Sequence, residues 1–287
     1  MDTAHTHTVA GRETLPNRRG ALARLGLGLA SVAGLSPLLG GCSALPLGTT
    51  VPMPQLRDPA AGVRQADTLV VMLPGRFDHP QDFVREGLVA DLKRQRADVD
   101  VLMVDAHLGY YLDRSVLVRL RQDVIRPARQ QGYRQVWLAG ISLGGFGALG
   151  YTARHGQEAG AEIDGVLAIA PYLGSDAVID AMAAAGGARH WLESSQRLCA
   201  NELEQDLWQW LAEPPEGAPP AFLGFGRADR MSDAHRLAAG LLPAGRVMQV
   251  EGGHDWAPWR SLWRQWLARG PLSQPERSAT LRAAPRV

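Results

Sequence analysis

Gly140-Ile141-Ser142-Leu143-Gly144 decides the fold, because the apolar run Val136-Trp137-Leu138-Ala139 leads into it and Gly145-Phe146-Gly147-Ala148-Leu149 follows. A strand, a sharp turn and a helix are implied in that order. Small residues on both sides of Ser142 let strand and helix approach closely, and the strained turn presents the serine hydroxyl over a helix N-terminus. That is the setting of a serine nucleophile. The plainer alternative for the same residues is a glycine-rich helix start with Ser142 as its N-cap.

The partners that such a serine needs lie downstream in the order Ser, Asp, His. Ala221 to Gly226 reads as a buried strand whose end delivers Arg227-Ala228-Asp229-Arg230, making Asp229 the candidate acid, with Asp233 four residues on as the alternative. Arg246 to Val250 reads as another strand, followed by Glu251-Gly252-Gly253-His254-Asp255-Trp256. His254 is the candidate base, and two glycines ahead of it with Trp256 and Trp259 behind it suggest a held position. The imidazole would take the Ser142 proton during attack on a carbonyl, while Asp229 would fix the tautomer and stabilise the imidazolium. The developing oxyanion needs two backbone donors. The Leu143 amide is one, and the Arg76 amide is the expected second, in the loop Pro74-Gly75-Arg76-Phe77 after the strand Thr68 to Leu73. Gly75 permits a tight turn beside the nucleophile.

Working outward, strands are expected at Thr68 to Leu73, Val99 to Val104, Arg134 to Ala139, Val166 to Ala170, Ala221 to Gly226 and Arg246 to Val250. Their apolar runs without strict alternation suit a parallel sheet covered on both faces. Helices are expected at Pro80 to Arg94, at Asp113 to Gln131 with a bend at Pro127, and from Leu143 to about His155. About fifty residues separate Ala170 from Ala221, more than one ordinary crossover needs. Helical stretches around Asp176 to Ala185 and Asn201 to Leu211 predict a small cap over Ser142, spanning about residues 171–220. Tyr172, His107, Tyr110 and Trp256 are candidate pocket walls, while Trp191, Trp208 and Trp210 suit either an acyl pocket or the core between cap and sheet. His107 has no second histidine or acidic cluster at coherent spacing, so neither a metal nor a cofactor is expected.

Taken together, Leu73-Pro74-Gly75-Arg76, Gly140-Ile141-Ser142-Leu143-Gly144, Gly226-Arg227-Ala228-Asp229 and Gly253-His254 resemble the oxyanion loop, nucleophile elbow, acid turn and histidine loop of the α/β-hydrolase superfamily. The match covers roughly Ala66 to Ala268, and His254-Asp255-Trp256 with Trp259 is most similar to the esterase D-like branch of carboxylesterases. The resemblance implies an α/β fold, a mostly parallel sheet flanked by helices with a small helical cap, and hydrolysis of a small-molecule carboxylic ester through an acyl-enzyme. Related proteins cleave amides or thioesters, and some keep the fold without activity. A peptidase or amidase using the same triad, and a noncatalytic ligand-binding lipoprotein, are the alternatives. The chain departs from the family in carrying Leu-Pro-Gly where a His-Gly pair is commoner, which bears on substrate more than on the backbone amides.

At the N-terminus, Asn17-Arg18-Arg19-Gly20 precedes an apolar stretch from Ala21 to Leu39 that Arg24 interrupts, ending in Leu39-Gly40-Gly41-Cys42. The polar interruption favours a processed export signal over a membrane span. The ending resembles a bacterial lipobox, whose cysteine is lipidated; residues 1–41 would be the signal, exported by a twin-arginine or a general pathway. Ser43 after Cys42 resembles a signal for sorting to the outer membrane, which places the protein at its periplasmic face, with a soluble exported form as the alternative. Pro46, Pro52, Pro54 and Pro59 make 42–66 an expected extended spacer, followed by the hydrolase domain at 67–270 and a loose tail at 271–287. Processing would leave about 246 residues, ample for one core. Cys42 and Cys199 are the two cysteines, so no internal disulfide is expected. With 30 basic and 29 acidic residues and scattered arginines, nucleic-acid binding is unsupported, and oligomeric state has no sequence signal.

Overall fold

The computed structural model describes residues 48–156, 162–194, 200–269 and 272. The expected leader, Cys42, Cys199 and the expected tail apart from Leu272 lie outside the described residues. Seven strands form one sheet: β1 (Gln55–Asp58), β2 (Thr68–Leu73), β3 (Val99–Val104), β4 (Gln135–Ile141), β5 (Gly165–Ile169), β6 (Ala221–Gly226) and β7 (Val247–Val250), in the order β1-β3-β2-β4-β5-β6-β7. Only β1 runs antiparallel, against β3; the other neighbours pair in parallel, with Leu73 opposite Gly140 and Gly226 opposite Val250. The strand order reverses between β2 and β4, and the carboxyl ends at such a switch point border a crevice. The loop after β2, where an oxyanion hole is expected, and the serine turn after β4 therefore flank one another.

Period-two side-chain alternation splits the strand residues between two apolar layers. Leu69, Val71, Leu73, Leu138, Val166, Ala168, Leu223 and Phe225 bury on one face; Val70, Met72, Trp137, Ala139, Leu167 and Ile169 bury on the other. The second face is closed by α1 (Pro80–Arg85), α2 (Leu88–Gln95) and the carboxyl-terminal helix Trp256–Arg269. The expected single helix over 80–94 breaks at Gly87, whose φ of 81° is left-handed. On the first face, α3 (Leu108–Leu112), α4 (Val116–Arg119) and α5 (Arg126–Gln130) lead to α6 (Leu143–His155), with a π-helical segment at Leu120–Ile125 joining α4 to α5. Pro127 supplies no N–H to the ladder, and the widened turn lies just before it.

The insertion between β5 and β6 carries α7 (Asp176–Ala184), α8 (Ala188–Glu193) and α9 (Glu202–Ala212). Helix α9 packs along α6, where Leu203 fills the space that a side chain on Gly150 would need. Trp191, Trp208 and Trp210 are buried in the core of this face, and the Trp208 indole donates to the Leu173 carbonyl at 2.8 Å. Of the two roles that sequence left open for them, core packing is the one observed. Helices α10 (Ser232–Ala239) and α11 (Trp256–Arg269) complete the layers.

The stretch 48–66 corrects the expected spacer. Met53 is fully buried, its amide donates to Asp123 Oδ2 at 2.9 Å, and β1 pairs along β3. Arg57 and the Ala60 amide donate to buried Asp100, each at 2.6 Å, and the Tyr133 hydroxyl donates to the same carboxylate. Burial pushes the Asp100 carboxyl up, but the bonds from Tyr133, Ala60 and Arg57 outweigh it and hold it below its ordinary value. Prolines on both sides of a short, exposed edge strand disguise it as linker.

Candidate active site

Close backbone approach builds the serine turn. A Cβ on Gly140 would lie 2.2 Å from the Gly144 carbonyl oxygen, and one on Gly144 would lie 2.1 Å from the Leu73 oxygen, so only glycine fits at either place. Ser142 itself has φ 52° and ψ −114°, a conformation that costs a non-glycine residue about 1–3 kcal/mol. Surrounding backbone holds it there: the Ser142 amide donates to Ile169 O at 2.9 Å, and its carbonyl accepts from Phe146 N at 3.1 Å and Tyr172 N at 3.0 Å. Its side chain carries no N-cap bond, which distinguishes the observed turn from the N-cap alternative.

The turns after β6 and β7 converge on that serine. A Cβ on Gly226 would meet the Gly252 oxygen at 2.3 Å, and Gly252 has φ 118°, so both glycines are needed for the acid and histidine loops to touch. Ser142 Oγ lies 2.9 Å from His254 Nε2, and His254 Nδ1 lies 2.8 Å from Asp229 Oδ2. Asp229 is 3% exposed and also accepts the Met231 amide at 2.8 Å. Burial pushes its carboxyl up, but the bonds from His254 and Met231 and the nearby imidazoles win, holding it below its ordinary value. An ionised Asp229 can only accept, so Nδ1 carries the proton and Nε2 accepts from the serine hydroxyl. Asp233, by contrast, is exposed and bonded to Arg236 at 2.5 Å. The imidazole is braced by Trp259, edge-on at 5.0 Å between ring centres.

The loop after β2 lies against the serine turn, since a Cβ on Gly75 would be 3.6 Å from Ser142 Cβ. Neither the Leu143 amide nor the Arg76 amide donates to a backbone or side-chain acceptor among the described residues. Leu143 adjoins Ser142 and Arg76 follows the glycine that faces it, so both amides are candidates to meet a ligand oxygen there. The Arg76 side chain is exposed and stands over the Phe77 ring at 5.2 Å.

The candidate pocket residues divide. Tyr172 is half-buried beside Ser142, edge-on to Phe146 at 5.5 Å, and donates to Glu204 Oε1 of α9 at 3.2 Å; burial, then Glu204, push its hydroxyl up to about 12. Trp256 is part-exposed and packs edge-on to Trp259 at 5.2 Å. Tyr110 is a correction: it is wholly buried and its hydroxyl donates to Thr50 O at 2.8 Å, so it fastens the 48–53 segment instead of walling a pocket. His107 is buried against Tyr110 and caps α3, its Nδ1 accepting from Gly109 N at 3.1 Å. Tyr111 is the residue of this pair that reaches the serine helix, its hydroxyl filling the space beside Gly147.

One histidine was missed in the sequence. His235 of α10 is wholly buried, and its Nε2–H donates to Pro171 O at 2.9 Å, fixing the chain just before Tyr172. Burial lowers its pKa and keeps it neutral. Its signal was only its place on an amphipathic helix directly after Asp229. Among the described residues there is no cluster of three or more histidine, cysteine or acidic side chains that could hold a metal, and no helix is long and apolar enough to cross a membrane.

No protein-family model matches the chain, and neither does any curated protein sequence. Solved structures do match in fold. A candidate esterase from Staphylococcus aureus superposes with a TM-score of 0.56 at 14% identity, over 80% of this chain and 83% of that one. Est1E from Butyrivibrio proteoclasticus gives 0.52 at 14% identity, covering 75% and 91%. EstE1, a thermophilic carboxylesterase from a metagenomic library, gives 0.51 at 16%, covering 76% and 87%. With the sheet order and the placement of the turns, these likenesses define an α/β-hydrolase fold with a helical insertion.

Proposed function

We propose that this chain is a serine hydrolase that cleaves a small-molecule carboxylic ester through an acyl-enzyme. The observation that carries the reading is the hydrogen-bonded line from Asp229 through His254 to Ser142, at the edge where β2, β4, β6 and β7 end. Ser142 Oγ attacks the ester carbonyl as His254 Nε2 takes its proton. The carbonyl electron pair moves onto oxygen, where the Leu143 and Arg76 amides receive it. The tetrahedral intermediate collapses by breaking the bond to the alcohol oxygen, and His254 returns the proton to that leaving group. Water then attacks the acyl-serine carbonyl as His254 Nε2 takes its proton, and the second tetrahedral intermediate collapses by breaking the bond to Ser142 Oγ, which receives that proton from His254 as the carboxylic acid leaves. Esterases among the fold's known members lend support to ester over amide. Purified protein assayed on matched ester and amide pairs of increasing acyl length should turn over the esters, with amides slower by orders of magnitude; equal or preferential amide cleavage would transfer the reading to an amidase or peptidase.

We further propose that Cys42 is lipidated and anchors the enzyme at the periplasmic face of the outer membrane, on the strength of Leu39-Gly40-Gly41-Cys42 behind a basic and apolar leader. One acyl chain holds a protein to a bilayer only reversibly, so stable anchoring needs more than one. Intact-mass measurement of the membrane fraction should find a mature chain that starts at Cys42 and carries lipid mass, lost in Cys42→Ser. A mature chain that begins elsewhere without lipid would remove the anchor and leave the hydrolase reading untouched.

A further inference from the structure

A third carboxylate lies beside the serine, on the loop that offers the Arg76 amide. The Asp78 amide donates to Gly75 O at 3.2 Å, closing a turn with Arg76 inside it. Its carboxylate folds back onto the same turn: Oδ2 lies 2.4 Å from where a Gly75 Cβ would be, and that point is 3.6 Å from Ser142 Cβ. Gly75 must therefore be glycine to admit the carboxylate, and the charge stands within about 6 Å of the nucleophile's Cβ, a range at which one group acts on another. The Gly75 amide and the Trp256 indole both draw the Asp78 carboxyl's pKa down.

Trp256 connects this loop to the histidine. It opens α11 two residues after His254, packs edge-on to Trp259 at 5.2 Å and to Phe83 at 6.1 Å, and Trp259 in turn packs edge-on to His254 at 5.0 Å. One carboxylate thus lies against the turn that carries the Arg76 amide and is acted on by the first ring of the aromatic row that braces the base.

We propose that Asp78 is a positioning residue for the oxyanion loop, its carboxylate holding the Gly75–Asp78 turn with the Arg76 amide toward Ser142 and fastening that turn to Trp256. The inference rests on the hydrolase reading above. Burial, and then the neighbouring charge of Asp82, push the Asp78 carboxyl up, and the Trp256 indole, Arg85 and the Gly75 amide only partly offset this. A part-buried acid so close to a developing negative charge is tolerated for what it holds. The role needs an acceptor oxygen, and the charge itself opposes the oxyanion, so an amide should serve in its place.

A donor to the oxyanion acts in the transition state more than in the ground state, so loosening it lowers kcat and leaves KM nearly fixed. Asp78→Ala should lower kcat by about 10- to 100-fold with KM changed by less than about threefold, and should slow fluorophosphonate labelling of Ser142 in parallel. Asp78→Asn should recover most of kcat. Trp256→Phe keeps the aromatic row and removes the indole donor, so it should show a smaller loss of the same kind, and it supplies the test should Asp78→Ala not fold. A rise in KM with kcat intact, or Asp78→Asn as impaired as Asp78→Ala, overturns the proposal. Ser142→Ala separates the two readings: an inactive Ser142→Ala beside a fully active Asp78→Ala and Trp256→Phe sinks only the positioning role, whereas an active Ser142→Ala sinks the hydrolase itself.

Discussion

Ser142→Ala should lose ester turnover by about 10⁴-fold or more, together with all covalent labelling by a serine-directed fluorophosphonate, while its urea midpoint stays near that of the wild type. The hydroxyl makes its bond to His254 and caps nothing, so its removal costs chemistry and little packing. Ser142→Gly sharpens the test. Glycine accepts the φ of 52° without penalty, so this variant should be inactive yet more stable than wild type by about 1 kcal/mol, the strain being the cost of presenting the nucleophile. Asp229→Asn should lose most of the turnover, and Asp233→Asn almost none, because only Asp229 reaches His254 Nδ1 and Asp233 is spent on Arg236. Ser142→Ala that still turns over ester while folded contradicts the mechanism outright, and loss confined to Asp233→Asn transfers the acid role.

The strands were legible because a parallel sheet buried on both faces writes itself as uninterrupted apolar runs. Thr68–Leu73, Val99–Val104 and Ala221–Gly226 fall at the expected residues, and the ends of β4, β5 and β7 differ by one or two. β1 was not legible, because an exposed edge strand needs only backbone pairing and its Arg57–Asp100 lock joins residues 43 apart. α11 is a helix the sequence analysis does not expect, although Trp256, Trp259, Trp263 and Trp266 stand at helical spacing. Ser142, Asp229 and His254 were readable since each follows a strand end, where topology alone brings the loops together. Tyr110 was misplaced for the opposite reason. Adjacent residues of a helix face different ways, and only the docked 48–53 segment decides that Tyr110 turns inward while Tyr111 meets α6. Asp78 was unreadable because its significance is a contact with a backbone that folds back upon it.

The second large effect is expected at Gly144 of α6, which packs against the Leu73–Pro74 backbone. Gly144→Ala places a methyl 2.1 Å from the Leu73 oxygen and 2.6 Å from the Pro74 oxygen, both backbone atoms that no rotamer change can move aside. Either α6 retreats from β2 or the Leu73–Pro74 segment is displaced, and overpacking of this kind costs about 1–3 kcal/mol. The displaced segment leads directly into Gly75 and Arg76, so catalysis suffers beyond the loss of stability. A misplacement of about 1 Å can cost about 100-fold, and kcat should fall at least that far even where the variant is fully folded. Gly245→Ala is the control, because nothing lies within 4 Å of its added methyl and its urea midpoint should shift by less than about 0.5 kcal/mol equivalent. Gly150→Ala should lie between them in stability and near wild type in kcat, since its methyl meets only the movable end of Leu203, away from the serine turn. A Gly144→Ala protein that melts and turns over like Gly245→Ala would mean that α6 and β2 are not in contact at Gly144, and with that the close approach that orients the serine would be lost.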